Sequence, residues 1–203
     1  MDGLNIRSMV QYTGDRLVHD GVELFRAEAG ASDPLRACYT AIALNDPKFF
    51  KMDAASKLVL LAAEPLLRAH AEELSAVRDR IGLVLGSRHG CADVDERYWQ
   101  SAQDLASPAL FVYTLPNIPL GELGIRHKLH GPSTTLLGER PSAERLRIAA
   151  QQLLHRHGAA CAICGWADIF AGERSATLFL VGPTGGKPWN DHHVQALLDV
   201  QHH

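Results

Sequence analysis

Cysteine is scarce: the chain has four in 203 residues, too few for a disulfide scaffold at this length. The start, MDGLNIRSMVQYTGD, lacks the basic flank and apolar run of a secretory leader, so a cytoplasmic protein is expected. No apolar run approaches the ~18 residues of a membrane helix. Neither sign of charge dominates, with 20 Lys and Arg against 23 Asp and Glu, which removes any reason to expect nucleic acid or an anionic membrane as partner. No internal repeat is present, and neither an HExxH nor a second CxxC pair occurs. The glycines at 182, 185 and 186 before Lys187 lack the GxxxxGK[ST] spacing and following apolar helix of a phosphate loop. No metal or cofactor is expected.

The chain does have apolar residues, 46% of the total, enough for one well-buried core in a single domain over 1–203. Leu4–Tyr12 suits a first strand, and the spacing of Val22, Phe25 and Ala29 predicts a helix over Asp20–Ala29. Asp53 is a candidate N-cap for a helix over Ala54–Ala71, apolar almost all round and interrupted by Pro65. IGLVLG, 81–86, is an unbroken apolar run expected to form a central strand covered on both faces. A loop over Ser87–Asp95 and a helix over Val94–Leu105 should follow. Further strands are expected at Ala159–Ala167 and Ser175–Val181, then a divergent tail over 182–203 with a short helix at Asp191–Val200. This order points to an α/β/α layered domain, a mixed sheet with helices on both faces.

CAIC at Cys161–Cys164 has zinc-like spacing. In a strand, however, positions i and i+3 face opposite ways, so the two thiols should diverge into the core. Cys91, in the loop after IGLVLG, is more reachable but has no orienting partner nearby in sequence. His127 and His130 end one helix and His155 and His157 another, where imidazoles complement the helix C-terminus. Of the remaining histidines His89, in the loop after the central strand, is the site candidate.

The most informative stretch is Ser107–Ala150. A Pro-Asn-Ile-Pro turn leads into a helix over Leu120–Lys128, Gly131-Pro132 stops it, and Ser133–Leu137 suits a strand. Gly138, Glu139, Arg140 and Pro141 then turn the chain into a second helix that Pro141 opens. Strand, tight turn and helix form a nucleophile elbow in several enzyme families. Here the tip holds Glu139 and Arg140. Arg140 is cationic and has no accessible neutral form with which to attack a carbonyl. Glu139 can cap the helix or accept a proton, but no partner that would make it a general base is visible. The plainer reading is a Glu–Arg pair that fills an emptied cavity.

The same residues resemble the N-terminal half of a β-ketoacyl synthase, a member of the thiolase superfamily. The matching pattern is Ser107-Pro108, Phe111, Thr114, Asn117, Gly121, Gly131-Pro132-Ser133 and Thr135, supported by IGLVLGS and by Phe49–Leu67, over most of residues 45–168. The resemblance implies one α/β/α half of the duplicated thiolase fold. It places the family's catalytic cysteine at Arg140, with Pro141 and Ser142 after it. The family's C-terminal half, with its two histidines and lysine, has no counterpart in these 203 residues. The chain is similar to half-length chain-length-factor-like proteins of aryl polyene and xanthomonadin-type pigment systems. That similarity implies a non-catalytic partner of an active ketosynthase in a type II fatty acid or polyketide-like pathway, forming a heterodimer and meeting an acyl carrier protein. It makes Thr134, Thr135, Leu136 and Leu137 an edge strand that pairs across the dimer. Phe111, Tyr113, Leu115, Asn117 and Ile118 become acyl-channel or interface residues. Two alternatives stay open: a homodimer that binds acyl groups or carrier protein, and a hydrolase or acyltransferase using Ser142, Ser133 or Glu139.

Overall fold

The computed structural model describes residues 3–103 and 105–199. The chain opens with a three-stranded antiparallel meander, β1 (Asn5–Thr13), β2 (Arg16–His19) and β3 (Val22–Arg26). β1 lies where a strand is expected. The expected Asp20–Ala29 helix does not form, because β3 occupies the middle of it. Asp20 and Gly21 adopt φ of 47° and 84°, the left-handed pair of a two-residue hairpin turn, a conformation that Asp-Gly tolerates well. Asp20 then locks the turn, its carboxylate accepting from Ser8 Oγ at 2.7 Å and Met9 N at 2.8 Å. That turn overrides the helical spacing of Val22, Phe25 and Ala29.

Two helices follow, α1 (Pro34–Ala41) and α2 (Ala54–Ala69), with a 3₁₀ turn at Pro47–Lys51 between them. Asp53 caps α2 as expected, accepting from Ala55 N at 3.1 Å and Ser56 N at 3.2 Å. Every residue from Leu58 to Leu67 is buried, Pro65 included. A short α3 (Ala71–Ser75) leads to β4 (Ile81–Ser87), all seven residues of which are buried. Next come α4 (Ala92–Ser101), α5 (Pro108–Phe111) and α6 (Ile118–His127). α5 stands where a loop is expected, capped by Ser107, and α6 starts two residues earlier than expected because Pro119 suits a helix's first turn. β5 (Ser133–Leu137), α7 (Ala143–Arg156), β6 (Cys161–Phe170), β7 (Glu173–Gly182), β8 (Lys187–Pro188) and α8 (Asp191–Asp199) complete the chain. Val200, His202 and His203 of the tail lie outside the described residues.

The strands form one mixed sheet in the order β3-β2-β1-β7-β6-β4-β5, with β8 beside the start of β1. β4 runs parallel to both its neighbours, while β6–β7 and β7–β1 are antiparallel. Successive side chains serve opposite layers. Cys161, Ile163, Leu83 and Leu85 join α2 and α6 in one core, while Ala162, Cys164, Trp166 and Val84 join α7 and α8 in the other. This is the expected α/β/α arrangement, and it sends Cys161 and Cys164 to opposite faces. Each fully buried aliphatic side chain contributes about 1.5–3 kcal/mol. In the second core Trp166 lies over Gly86 of the neighbouring strand, where a Cβ would stand 2.2 Å from the indole Cε3.

A buried carboxylate joins α2 to α6. Glu64 is buried, with Arg68 Nε at 2.8 Å, Arg126 Nε at 3.2 Å and His127 Nε2 at 3.1 Å. Arg126 also reaches Asp46 Oδ2 at 3.2 Å. Burial alone would raise the Glu64 pKa, but the contacts of His127 and Arg126 outweigh it and hold the carboxyl at about 2. The folded pKa therefore lies below the unfolded one, so the stabilisation is complete above the ordinary carboxylate range and is lost as pH falls toward 2. Glu64→Gln should lower stability by roughly 1.5–3 kcal/mol at neutral pH, since it weakens the charge-assisted hydrogen bonds from Arg68 and Arg126. Urea denaturation at pH 7 and pH 3 should show the gap between variant and parent narrowing at the lower pH.

Candidate functional site

The elbow forms as a strand, a turn and a helix. β5 ends at Leu137, residues 138–141 turn, and α7 begins at Ala143 rather than at Pro141. Ser142 is the N-cap, its Oγ accepting from Arg145 N at 3.2 Å. The next free backbone donor is also taken, because Ala143 N donates to Gln195 Oε1 of α8 at 3.0 Å. Gln195 Nε2 in turn donates to Pro141 O at 3.2 Å. Two of the backbone donors at the N-terminus that would stabilise a reacting anion in a working elbow are thus taken by the chain's own side chains. Glu139 and Arg140 are both exposed. They fill no cavity, which corrects the plainer reading of that pair, and instead they stand on the rim of an open cleft of about 1240 Å³.

The same cleft is lined by His89, Asp168 and Phe170. Asp168 is buried at the end of β6, and its Oδ1 accepts from Ser87 Oγ at 2.8 Å, Arg88 N at 3.2 Å and His89 N at 3.0 Å. Its Oδ2 lies 2.8 Å from His89 Nδ1. The imidazole stacks on Phe170, with ring centroids 4.4 Å apart and planes 10° from parallel. Sequence reasoning singled out His89 but missed Asp168, which is 79 residues away. Only the parallel pairing of β4 with β6 brings them together. Gln195 was equally out of sight, in a tail that looked merely divergent.

Among the described residues β5 is the last strand of the sheet and pairs with β4 alone. Leu83 N donates to Pro132 O at 2.9 Å and Gly138 N to Ser87 O at 3.1 Å. With the parallel register between them, Thr134 and Leu136 face their backbone groups to β4, and those of Ser133, Thr135 and Leu137 point to the open edge. Leu136 packs against the second core, Leu137 is exposed, and Thr134 and Thr135 are half-buried. Thr135 Oγ1 is buried without a hydrogen-bond partner. In the segment before α6, Phe111, Val112 and Leu115 are exposed, at 60%, 54% and 55%. Tyr113 is held back: its hydroxyl donates to Glu122 Oε1 at 3.2 Å, and burial together with that carboxylate pushes the phenol pKa up to about 12. Asn117 is exposed and makes no side-chain cap to α6, while Ile118 is half-buried.

The thiols offer no nucleophile. Burial pushes Cys38 up to about 12 and Cys161 up to about 11, and Cys164 is raised further by complete burial. Cys91 is held up at about 11 by burial and by Asp95, whose Oδ2 lies 3.2 Å from Sγ. Among the described residues no group of three or more His, Cys, Asp or Glu side chains is placed to hold a metal ion, and no helix is long and apolar enough to cross a membrane.

Among curated proteins none matches the chain. Several solved structures share its fold. The ishigamide ketosynthase/chain length factor superposes with a TM-score of 0.68 at 20% identity, covering 89% of this chain and 62% of that one. The ketosynthase ApeO in complex with its chain length factor ApeC, from Xenorhabdus doucetiae, gives 0.62 at 17% identity over 98% of this chain and 91% of that one. AntDE:AntF, a type II polyketide synthase acyl-carrier protein in complex with its ketosynthase, gives 0.63 at 11% identity over 98% and 66%. The chain thus spans less than two thirds of the first of these. Residues 25–182 match the family model described as the β-ketoacyl synthase N-terminal domain, which takes in most of the sheet, the elbow and the cleft. The chain belongs to the β-ketoacyl synthase family.

Proposed function

We propose that this chain is a non-condensing, chain-length-factor-like partner of an active β-ketoacyl synthase, and that it shapes the acyl channel of a type II fatty acid or polyketide-like pathway. The observation that carries this reading is Arg140 at the tip of an elbow whose scaffold is otherwise intact. An arginine there cannot form an acyl-enzyme, while the strand beside it keeps an open edge. An unpaired edge flanked by exposed apolar side chains is an aggregation liability that a partner strand removes. Val112, Leu115 and Leu137 are exposed apolar groups available to such a partner. Complexes of a ketosynthase with a chain length factor or a carrier protein share this fold, which supports a heterodimer that receives acyl carrier protein. The same edge also suits a second copy of this chain, so a homodimer is the competing assembly. The hydrolase or acyltransferase alternative based on Ser142 loses support, because that hydroxyl is the cap of α7.

Co-expression with a candidate ketosynthase tests the assembly. The two chains should co-purify, and Thr135→Pro, which removes an edge-facing donor, should abolish the complex while circular dichroism stays unchanged. A folded Thr135→Pro variant that keeps its full oligomeric mass by light scattering would place the interface elsewhere. Recovery of a dimer of this chain alone, with no ketosynthase bound, would favour the homodimer.

Chemistry on the isolated chain should be silent on the condensing pathway. Intact-mass measurement after incubation with acyl-carrier protein should show no acyl adduct, and malonyl-carrier protein should not lose carbon dioxide. Arg140→Cys should not restore condensation, since Ala143 N at the helix start behind position 140 is already bonded to Gln195 Oε1. A stoichiometric acyl mass shift on the parent chain would sink the reading.

Channel shaping is tested by product length. Transfer energy separates neighbouring chain lengths by only about 0.8 kcal/mol per CH₂, whereas a bulky side chain across the path excludes sharply. Phe111→Ala and Tyr113→Ala should leave the complex assembled and lengthen the carrier-bound products by at least one extension unit, read by mass spectrometry. If both variants turn over with unchanged products, this segment packs and does not gate.

A further inference from the structure

We propose that the Asp168–His89 pair makes the cleft beside the elbow a general-base site that hydrolyses acyl thioesters with water. The choice of thioesters over oxygen esters rests on the ketosynthase-partner reading; the base itself rests on geometry alone. Asp168 Oδ2 at 2.8 Å from His89 Nδ1 places the ring proton on Nδ1 and leaves Nε2 as the acceptor nitrogen. Oδ1 accepts three further hydrogen bonds, so the carboxylate is fixed on the loop that carries the imidazole. The ring is also held by its stack on Phe170. A histidine so doubly held is oriented as a base is in a triad, with its side chain 28% exposed on the cleft wall.

Several observations narrow the chemistry. No thiol is among the described residues lining the cleft, and its two hydroxyl residues, Thr13 and Ser175, sit on β1 and β7 and make no hydrogen bond with His89, so water is the nucleophile proposed, with no covalent intermediate. Five carboxylates line the cleft against the three guanidinium groups of Arg88, Arg140 and Arg174. That balance argues against an anionic ligand and favours a neutral electrophile such as a thioester carbonyl. In the reaction His89 Nε2 takes a proton as the water oxygen bonds to the carbonyl carbon, and the carbonyl electron pair moves onto oxygen. Arg88 and Arg140 line the same cleft and supply the cationic donors for that oxygen. The carbonyl then re-forms, the C–S bond breaks, and the proton passes from Nε2 to the leaving sulfur. One thioester and one water become one carboxylic acid and one thiol, and His89 returns to its starting form. The consequence in a condensing complex is release of acyl groups that are not extended. Asp168 acts as a positioning residue.

The test uses the full chain with S-octanoyl-N-acetylcysteamine as probe and thiol release as readout. The parent should release thiol above the uncatalysed rate, and His89→Gln should lose about 100-fold in kcat at an unchanged melting temperature. Asp168→Asn should lower kcat with little change in KM, and its His89 ¹⁵N shifts should no longer report a proton held on Nδ1. Should Asp168→Asn fail to fold, His89→Gln decides alone. No release by the parent, or equal release by parent and His89→Gln, overturns the proposal. p-Nitrophenyl octanoate separates its two parts: turnover of the oxygen ester without the thioester keeps the base and overturns the substrate. Hydrolysis by a chain that fails to co-purify with a ketosynthase would overturn the partner reading and leave this one standing. Co-purification without hydrolysis would do the reverse.

Discussion

The structure depends on β4 having no wet face. A strand buried along all seven residues forces a covering layer on each side, and the sequence supplies them as α2 with α6 on one face and α7 with α8 on the other. Every polar group near such a strand must then find a partner inside the protein. At its C-terminal end that partner is Asp168, which accepts from Ser87 and from two backbone N–H groups of the loop. The cleft geometry follows from this requirement. The loop carrying His89 is held where it is because the end of a dry strand has to be satisfied.

Much of this architecture was legible in the chain. IGLVLG announced a strand buried on both sides, Asp53 announced a capped helix, and Gly131-Pro132 with Gly138 bracketed the edge strand to the residue. The signals that failed were of two kinds. Asp20-Gly21 is a local turn signal that outranks helical spacing, because two residues at positive φ end any helix. The pairs His89–Asp168 and Ala143–Gln195 are not local at all: they lie 79 and 52 residues apart, and no spacing rule reaches that far. That the turn carries Glu139 and Arg140 was visible in sequence. That the helix behind it is also closed by Gln195 was not.

The composition of the turn and the bonding at the helix start behind it are consistent with each other in physical terms. A nucleophile's turn is held open so that substrate can reach the helix N-terminus. Here that terminus is satisfied internally by Ser142 and Gln195, and Arg145 secures the strand end through its bond to Leu137 O at 3.3 Å. Arg140 is left to solvent at the cleft rim. The turn acts as a bracket that fixes the end of β5 in place.

The close approach of Gly86 to Trp166 sets an order on how this core can change over evolutionary time. Any side chain at position 86 collides with the indole, so residue 86 is confined to glycine for as long as tryptophan stands opposite. Trp166, by contrast, can shrink first, at the expense of a cavity. Lineages that keep a small residue at 166 are free to drift at 86, whereas a lineage that acquires the tryptophan is committed. The pair is coupled in order, since position 166 must shrink before position 86 can grow.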